Sequence, residues 1–281
     1  MAALANSGML VTHMPKLIAV DDLDDPLIEA YRDIRERDLV GRDGLFIAEG
    51  RVVVEKLAAS STHQVLSLLI AAKRVASLEP LLAQLPNDLP VFTAAQPVMD
   101  AIAGFPMHRG ILAIGRRAEN PTADALLGRI IGGGDVLLLS GIANHDNLGG
   151  IFRNAAAFGT MAVFLDADCC DPLYRKAIRV SVGATLLVPF ARLDRGEDPL
   201  ALLERHGFAS VALSPTGDTL LADWRPTDRN AVLLGAEGSG LPAELIARAM
   251  SVRIAMSEGF DSLNVATTSG IVLHHLSASQ R

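Results

Sequence analysis

The chain has 281 residues, half of them apolar and a fifth charged, which is material for a sizeable core and excludes a largely disordered protein. Aromatics make up only 4%, and the aliphatic, Ala- and Gly-rich remainder suits strands covered by helices. The formal net charge of −7 has the wrong sign for a uniformly basic nucleic-acid binder, so any contact to phosphates has to come from a local cluster of cations.

Residues 1–15 show no periodicity and are expected to form a flexible tail. They lack the basic start and continuous apolar run of a signal peptide. No apolar stretch approaches the ~18–20 residues that span a bilayer, so a cytoplasmic protein without a membrane partner is expected. The two cysteines, Cys169 and Cys170, are adjacent, with no Cys/His spacing for zinc. Reduced thiols and no metal are the expectation.

The spacing of Leu27, Ala30 and Ile34 predicts an amphipathic helix over 24–38. A Gly-bounded apolar stretch at 44–48 leads into a helix from Glu49 to about Ala59. Strands are predicted at 65–70, 91–93 and 111–114, with helices at 76–84 and 97–103 between them. This alternation defines a small α/β domain over 16–118. A linker over 119–133, holding Asn120-Pro121, separates it from a second domain over 134–281, with Gly132-Gly-Gly134 leading into that domain's first strand. There the predicted strands are 136–140, 162–165, 185–188, 209–213, 231–234 and 252–255. The predicted helices are 148–158, 173–180, 199–206, 242–250 and 264–276. The implied architecture is a mostly parallel sheet covered by helices.

In such sheets ligands collect at the carboxyl ends of strands, and three loops there have unusual composition. The first, 140–156, contains Asn147, Gly149, Gly150 and Arg153. Asn147 alone reads equally as a helix N-cap, and Arg153, six residues on among apolar neighbours, as a surface cation. The second is Gly235-Ala-Glu237-Gly238-Ser-Gly240-Leu-Pro242. Its glycines permit close backbone approach, while Glu237 and the lack of G-K-[ST] argue against a phosphate loop. The third, 254–265, holds Asp261 and Ser262 as candidate caps, with Met256, Phe260 and Leu263 as candidate pocket walls.

In this order and spacing the loops resemble the signature motifs of the SpoU/TrmH methyltransferases of the SPOUT superfamily. Asn147, Gly149, Arg153, Asn154 and Ala155 match the first motif. Gly235, Glu237, Gly238, Gly240 and Leu241 match the second. Ile254, Met256 and Ser262-Leu-Asn264-Val match the third. The run from Asp171-Pro through Arg175, Lys176, Arg179 and Ser181 to Gly183-Ala184 is similar to a fourth block. Two positions depart from the pattern: Ala255 stands where the family usually has Pro, and Cys170 where it often has Ser. In the first domain, Phe46-Ile-Ala-Glu49-Gly50 and His108-Arg-Gly110-Ile resemble the family's small substrate-binding domain, itself similar to an RNA-binding ribosomal protein.

The resemblance implies transfer of a methyl group from S-adenosylmethionine to a ribose 2′-hydroxyl of RNA, with ribosomal favoured over transfer RNA. It also implies a homodimer with active sites completed across the interface, and a deep trefoil knot in the second domain, a topology that fold physics alone makes very rare. The implied cofactor contacts are Leu213, Gly235, Gly240, Ile254, Met256 and Leu263. Arg153 is the implied catalytic arginine, braced by Asn147 and Glu237, with Ser262 and Asn264 hydrogen-bonding around the acceptor. A pKa above ~12 makes arginine a poor general base, which favours a role in orienting the hydroxyl. Arg153, Arg175, Lys176 and Arg179, helped by Arg51, Arg109, Arg116 and Arg117, form the expected phosphate patch.

Rival readings lack their own signals. A dinucleotide enzyme needs G-x-G-x-x-G after a strand, whereas Gly132-Gly-Gly134 precedes one. A serine hydrolase needs G-x-S-x-G, and Glu237 occupies the position two before Ser239. The remaining alternative is a non-catalytic RNA-binding protein on the same fold. Against it stand Arg153, Glu237, Ser262 and Asn264.

Overall fold

The computed structural model describes residues 14–32, 44–104, 106–119 and 121–279. Most of the expected tail, the second half of the expected 24–38 helix and Asn120 lie outside these residues.

A five-stranded mixed sheet comes first. Its strands are β1 (Leu17–Ala19), β2 (Leu45–Glu49), β3 (Gln64–Ala71), β4 (Val91–Ala94) and β5 (Ile111–Arg116), in the order β1-β4-β3-β5-β2. Helices α1 (Arg51–Ala58) and α2 (Val75–Leu82) bury Val53, Val54, Leu57, Leu78 and Leu82 against one face. Helix α3 (Gln96–Ala103) and a 3-10 turn (Pro26–Tyr31) bury Met99, Ile102, Ile28 and Tyr31 on the other. That turn is the described part of the predicted 24–38 helix. Asp25 caps it, accepting from Leu27 N at 2.9 Å, and Arg32 beyond it is already extended.

Residues 119–133, expected as a linker, contain helix α4 (Ala123–Gly128), capped by Thr122. Leu126 and Leu127 sink into the core of the second sheet, so this segment packs as part of it. That sheet has seven strands, all parallel: β6 (Gly134–Ser140), β7 (Ala162–Leu165), β8 (Phe190–Arg192), β9 (Ala209–Leu213), β10 (Thr219–Leu220), β11 (Arg229–Gly235) and β12 (Met250–Arg253). Their order is β10-β12-β9-β11-β6-β7-β8. The central strands β6 and β11 read as continuous apolar runs because both faces are covered. Helices α5 (His145–Ala157), α6 (Arg175–Val180) and α9 (Val265–Ser279) cover one face. Helices α4, α7 (Pro199–Arg205) and α8 (Ala243–Arg248) cover the other.

One predicted strand is misplaced. Residues 185–188 form a 3-10 turn (Ala184–Leu186) that continues to Val188, whose N–H reaches Ala184 O at 2.9 Å. The Ser181 hydroxyl accepts from Thr185 N, and Pro189 then releases the chain into β8. An apolar run such as Leu186-Leu-Val-Pro-Phe190 fits a turn and a strand equally, and the side-chain hydrogen bond decides.

Helix α6 packs on β2, so one apolar cluster runs through both sheets. Arg175 closes this junction with an ion pair to Glu49 at 3.2 Å, both side chains being largely buried. Arg117 bonds both carboxylate oxygens of Asp171.

The cysteines sit behind β6. Cys169 Sγ accepts from Ile142 N and donates to Leu139 O, each at 3.3 Å. Burial, with Asp166 nearby, pushes its thiol up to about 12, and burial pushes Cys170 up to about 11. Since the thiolate is the nucleophile, iodoacetamide at mildly alkaline pH is expected to leave both unmodified in the native protein. In urea it should alkylate both, as read by intact mass. Rapid native alkylation of either thiol would contradict this environment.

Candidate active site

The carboxyl ends of β9, β11 and β12 open into a cavity of about 820 Å³, within the ~300–1,000 Å³ usual for small-molecule sites. Leu213, Gly235, Gly240, Ile254, Met256 and Leu263, all expected as cofactor contacts, line it. Gly235 is there because nothing larger fits. A Cβ on it would lie 2.2 Å from Gly240 C and Leu241 N, where the 236–240 loop turns back over the strand end. Glu237 and Asp261 bring carboxylates to the wall, and among the described residues no Lys, Arg or His lines it.

Asn264 joins the three loops. Its Nδ2 donates to Asn147 Oδ1 at 2.8 Å and to Glu237 Oε1 at 2.9 Å. Its Oδ1 accepts from Ala266 N and Thr267 N, so Asn264, rather than Asp261 or Ser262, caps α9. Both amide protons and the carbonyl are thus occupied, which ties Asn147, Glu237 and the start of α9 together. Asn147 is buried within α5, whose cap is Asn144, accepting from Asp146 N at 2.8 Å. Ser262 faces the cavity with one long bond, 3.4 Å to Asp261, and keeps its hydroxyl available.

Arg153 projects from an exposed position of α5 and is not among the residues lining its own chain's cavity, while Asn147 and Glu237 brace the third loop through Asn264. A six-residue step on a helix rotates by about 240°, which turns Arg153 away from buried Asn147. Its charge acts on Lys56, whose pKa is lowered by burial and then by the Arg153 charge.

The expected phosphate patch divides. Arg175 is held by Glu49, Arg117 by Asp171, and Lys176 by Asp146 at 2.6 Å. Arg116 is exposed at the end of β5. Arg51, Arg109 and Arg179 meet in a separate cleft. The sequence reading missed the β9 loop residues Ser214, Pro215 and Thr216, and Thr268 on α9, all of which line the cavity. The former were recoverable, because β9 was predicted and its carboxyl end is where the rule for parallel sheets points.

This is an α/β protein with a small-molecule cavity at the carboxyl ends of parallel strands. A family model described as the SpoU rRNA Methylase family matches residues 135–274. An uncharacterised tRNA/rRNA methyltransferase of Mycobacterium bovis is 38% identical over 269 residues, covering 92% of this chain and 91% of the relative. A 23S rRNA (guanosine-2′-O-)-methyltransferase of Coxiella burnetii is 30% identical over 173 residues, 60% of this chain and 69% of the relative. Among solved structures, an AdoMet-bound rRNA methyltransferase from Sinorhizobium meliloti superimposes with a TM-score of 0.76 at 24% identity, covering 92% of this chain and 97% of that one. The chain belongs to the SpoU methylase family and is a methyltransferase.

Proposed function

We propose that the protein transfers a methyl group from S-adenosylmethionine to a ribose 2′-hydroxyl of RNA, ribosomal RNA being favoured. The observation that carries this reading is the cavity: apolar walls for an adenosine, two carboxylates and no cation. That set suits a cofactor bearing sulfonium and ammonium charges and disfavours a phosphorylated nucleotide. The tRNA/rRNA methyltransferase from Mycobacterium bovis and the 2′-O-methyltransferase from Coxiella burnetii support the substrate class and the position methylated.

When bound, S-adenosylmethionine supplies an electrophilic methyl group. Leu213, Ile254 and Leu263 hold its apolar part, and Glu237 offsets its positive charge. Ser262 Oγ would hydrogen-bond the acceptor hydroxyl and hold it facing the sulfonium methyl. Holding both groups in line supplies much of the acceleration. The protein works as a homodimer on this reading, with Arg153, which does not line its own chain's cavity, completing the site of a second copy. The domain of residues 134–281 carries the knot and the cofactor site, and that of 16–118 engages RNA in the cytoplasm.

The test is incubation with isotope-labelled S-adenosylmethionine and unmodified ribosomal or transfer RNA, followed by mass spectrometry of nuclease digests. Label is expected in a 2′-O-methylated nucleotide. Arg153→Ala should lower the rate by on the order of 100-fold, as for removal of one donor to a transition state, with cofactor affinity unchanged. Label on a base would overturn the ribose assignment. Absence of cofactor binding would overturn the cofactor reading.

A further inference from the structure

A second cavity, of about 520 Å³, lies where the five-stranded sheet meets α6, and it is lined by Arg51, Arg74, Arg109 and Arg179. No carboxylate lines it. Glu55 pairs with Arg51 at 2.6 Å, but Glu49 turns its carboxylate to Arg175 and offers this side only a backbone oxygen, 3.4 Å from Arg109. Four guanidinium groups gathered in an acidic protein repel one another, a cost that an anion removes.

The cleft is built rather than accidental. Arg109 lies across Gly50, where a Cβ would come 2.8 Å from its Cδ, and Arg74 lies across Gly110, where a Cβ would come 2.9 Å from its Cγ. Both glycines have positive φ, +92° and +65°. These are the glycines of the Glu49-Gly50 and His108-Arg-Gly110 sequences. The first turn of α1 also faces the cleft, and its N-cap, Gly50, has no side chain to satisfy the free N–H groups. On the α6 side Val182 is held at φ 54°, a costly conformation for a β-branched residue, with its carbonyl accepting from Lys56 Nζ at 2.6 Å.

We propose that this cleft binds phosphodiester groups of an RNA backbone, and that Lys56, bonded to Val182 at its edge, extends it. The proposal deepens the RNA reading above, and adds Arg74 and Lys56 to the residues that meet RNA. Guanidinium forks match phosphate oxygens in geometry, which favours arginine for this task. Contacts to phosphates position a strand without reading its sequence, so the cleft fixes where the RNA enters while another surface selects the nucleotide.

The test uses the full chain and a fluorescent single-stranded RNA of mixed sequence, with anisotropy followed over a salt series. For the Arg74→Ala/Arg109→Ala double variant, affinity is expected to fall about tenfold or more. The slope of log K against log salt should shrink by about 1.4, from ~0.7 per lost phosphate contact. If that variant misfolds, Arg179→Ala, on an exposed position of α6, should give half the slope change. Unchanged affinity and slope in a folded variant, or no RNA binding by the wild type, would overturn the proposal. So would a slope change seen with a polyglutamate peptide and not with RNA. Calorimetry with S-adenosylmethionine separates the two readings: a normal RNA slope change without cofactor binding keeps the cleft and sinks the cofactor assignment.

Discussion

Gly235→Ala is expected to weaken S-adenosylmethionine binding by about 100-fold or more while leaving the protein folded. The added methyl would meet Gly240 C and Leu241 N at 2.2 Å and Gly240 O at 2.5 Å. These are backbone atoms, so no side chain can rotate to relieve the clash, and the 236–240 loop has to move by an ångström or more. Overpacking of this kind costs about 1–3 kcal/mol, which a domain of this size tolerates. The cavity does not tolerate it, because Gly235, Glu237 and Gly240 all belong to its wall. Glu237 would also lose register with Asn264, which holds the third loop through the same amide group that bonds Asn147. Gly128→Ala is the control: a Cβ there meets nothing closer than 3.8 Å, and binding should be unchanged. Calorimetric titration of both variants decides. A dissociation constant for Gly235→Ala within about threefold of wild type would mean the close approach does not shape the pocket.

The residues that can be read from sequence are those whose roles are set by loop position. Leu213, Gly235, Ile254 and Leu263 came from the family resemblance, and each lies at or beyond the end of a predicted strand, where the structure brings them to one cavity. Charged side chains were harder, because a guanidinium's role depends on the carboxylates within its reach. Arg175, Lys176 and Arg179 occupy neighbouring turns of one short helix, yet only Arg179 enters the basic cleft. Glu49, from a strand over a hundred residues earlier, claims Arg175, and nothing local signals that. Arg74 was invisible for the same reason: its place is defined by Gly110, its neighbour only across the fold. The strands β1 and β10 were missed because Leu17–Ala19 and Thr219–Leu220 are too short to carry a period. Asn264 had the right residue type, and only the geometry shows that it caps α9 and bridges two loops at once.

The junction between the two sheets yields the second large effect. Glu49→Ala should destabilise the protein by about 3–5 kcal/mol, the range for removing one partner of a buried ion pair. Glu49 and Arg175 side chains are 7% and 13% exposed, so water cannot replace the missing carboxylate. The pair sits where β2 meets α6, and the apolar cluster through this junction predicts that both sheets unfold together in the wild type. Trp224, the sole tryptophan, is buried at 3% and stacks on His275 of α9, so its fluorescence reports the seven-stranded sheet. Far-ultraviolet circular dichroism reports both sheets. In urea the two signals should coincide for wild type and separate for Glu49→Ala, since coincident probes are the mark of one cooperative unit. Replacing the pair together, as Glu49→Leu/Arg175→Met, should recover much of the lost stability, because an apolar pair avoids the desolvation of two charges. The recovered protein would still bind RNA through Arg74 and Arg109, neither of which depends on Arg175. Coincident transitions in Glu49→Ala with a loss below about 1 kcal/mol would instead place the coupling in the apolar contacts of Phe46 and Ile178 alone, and the ion pair would be an ornament of the interface.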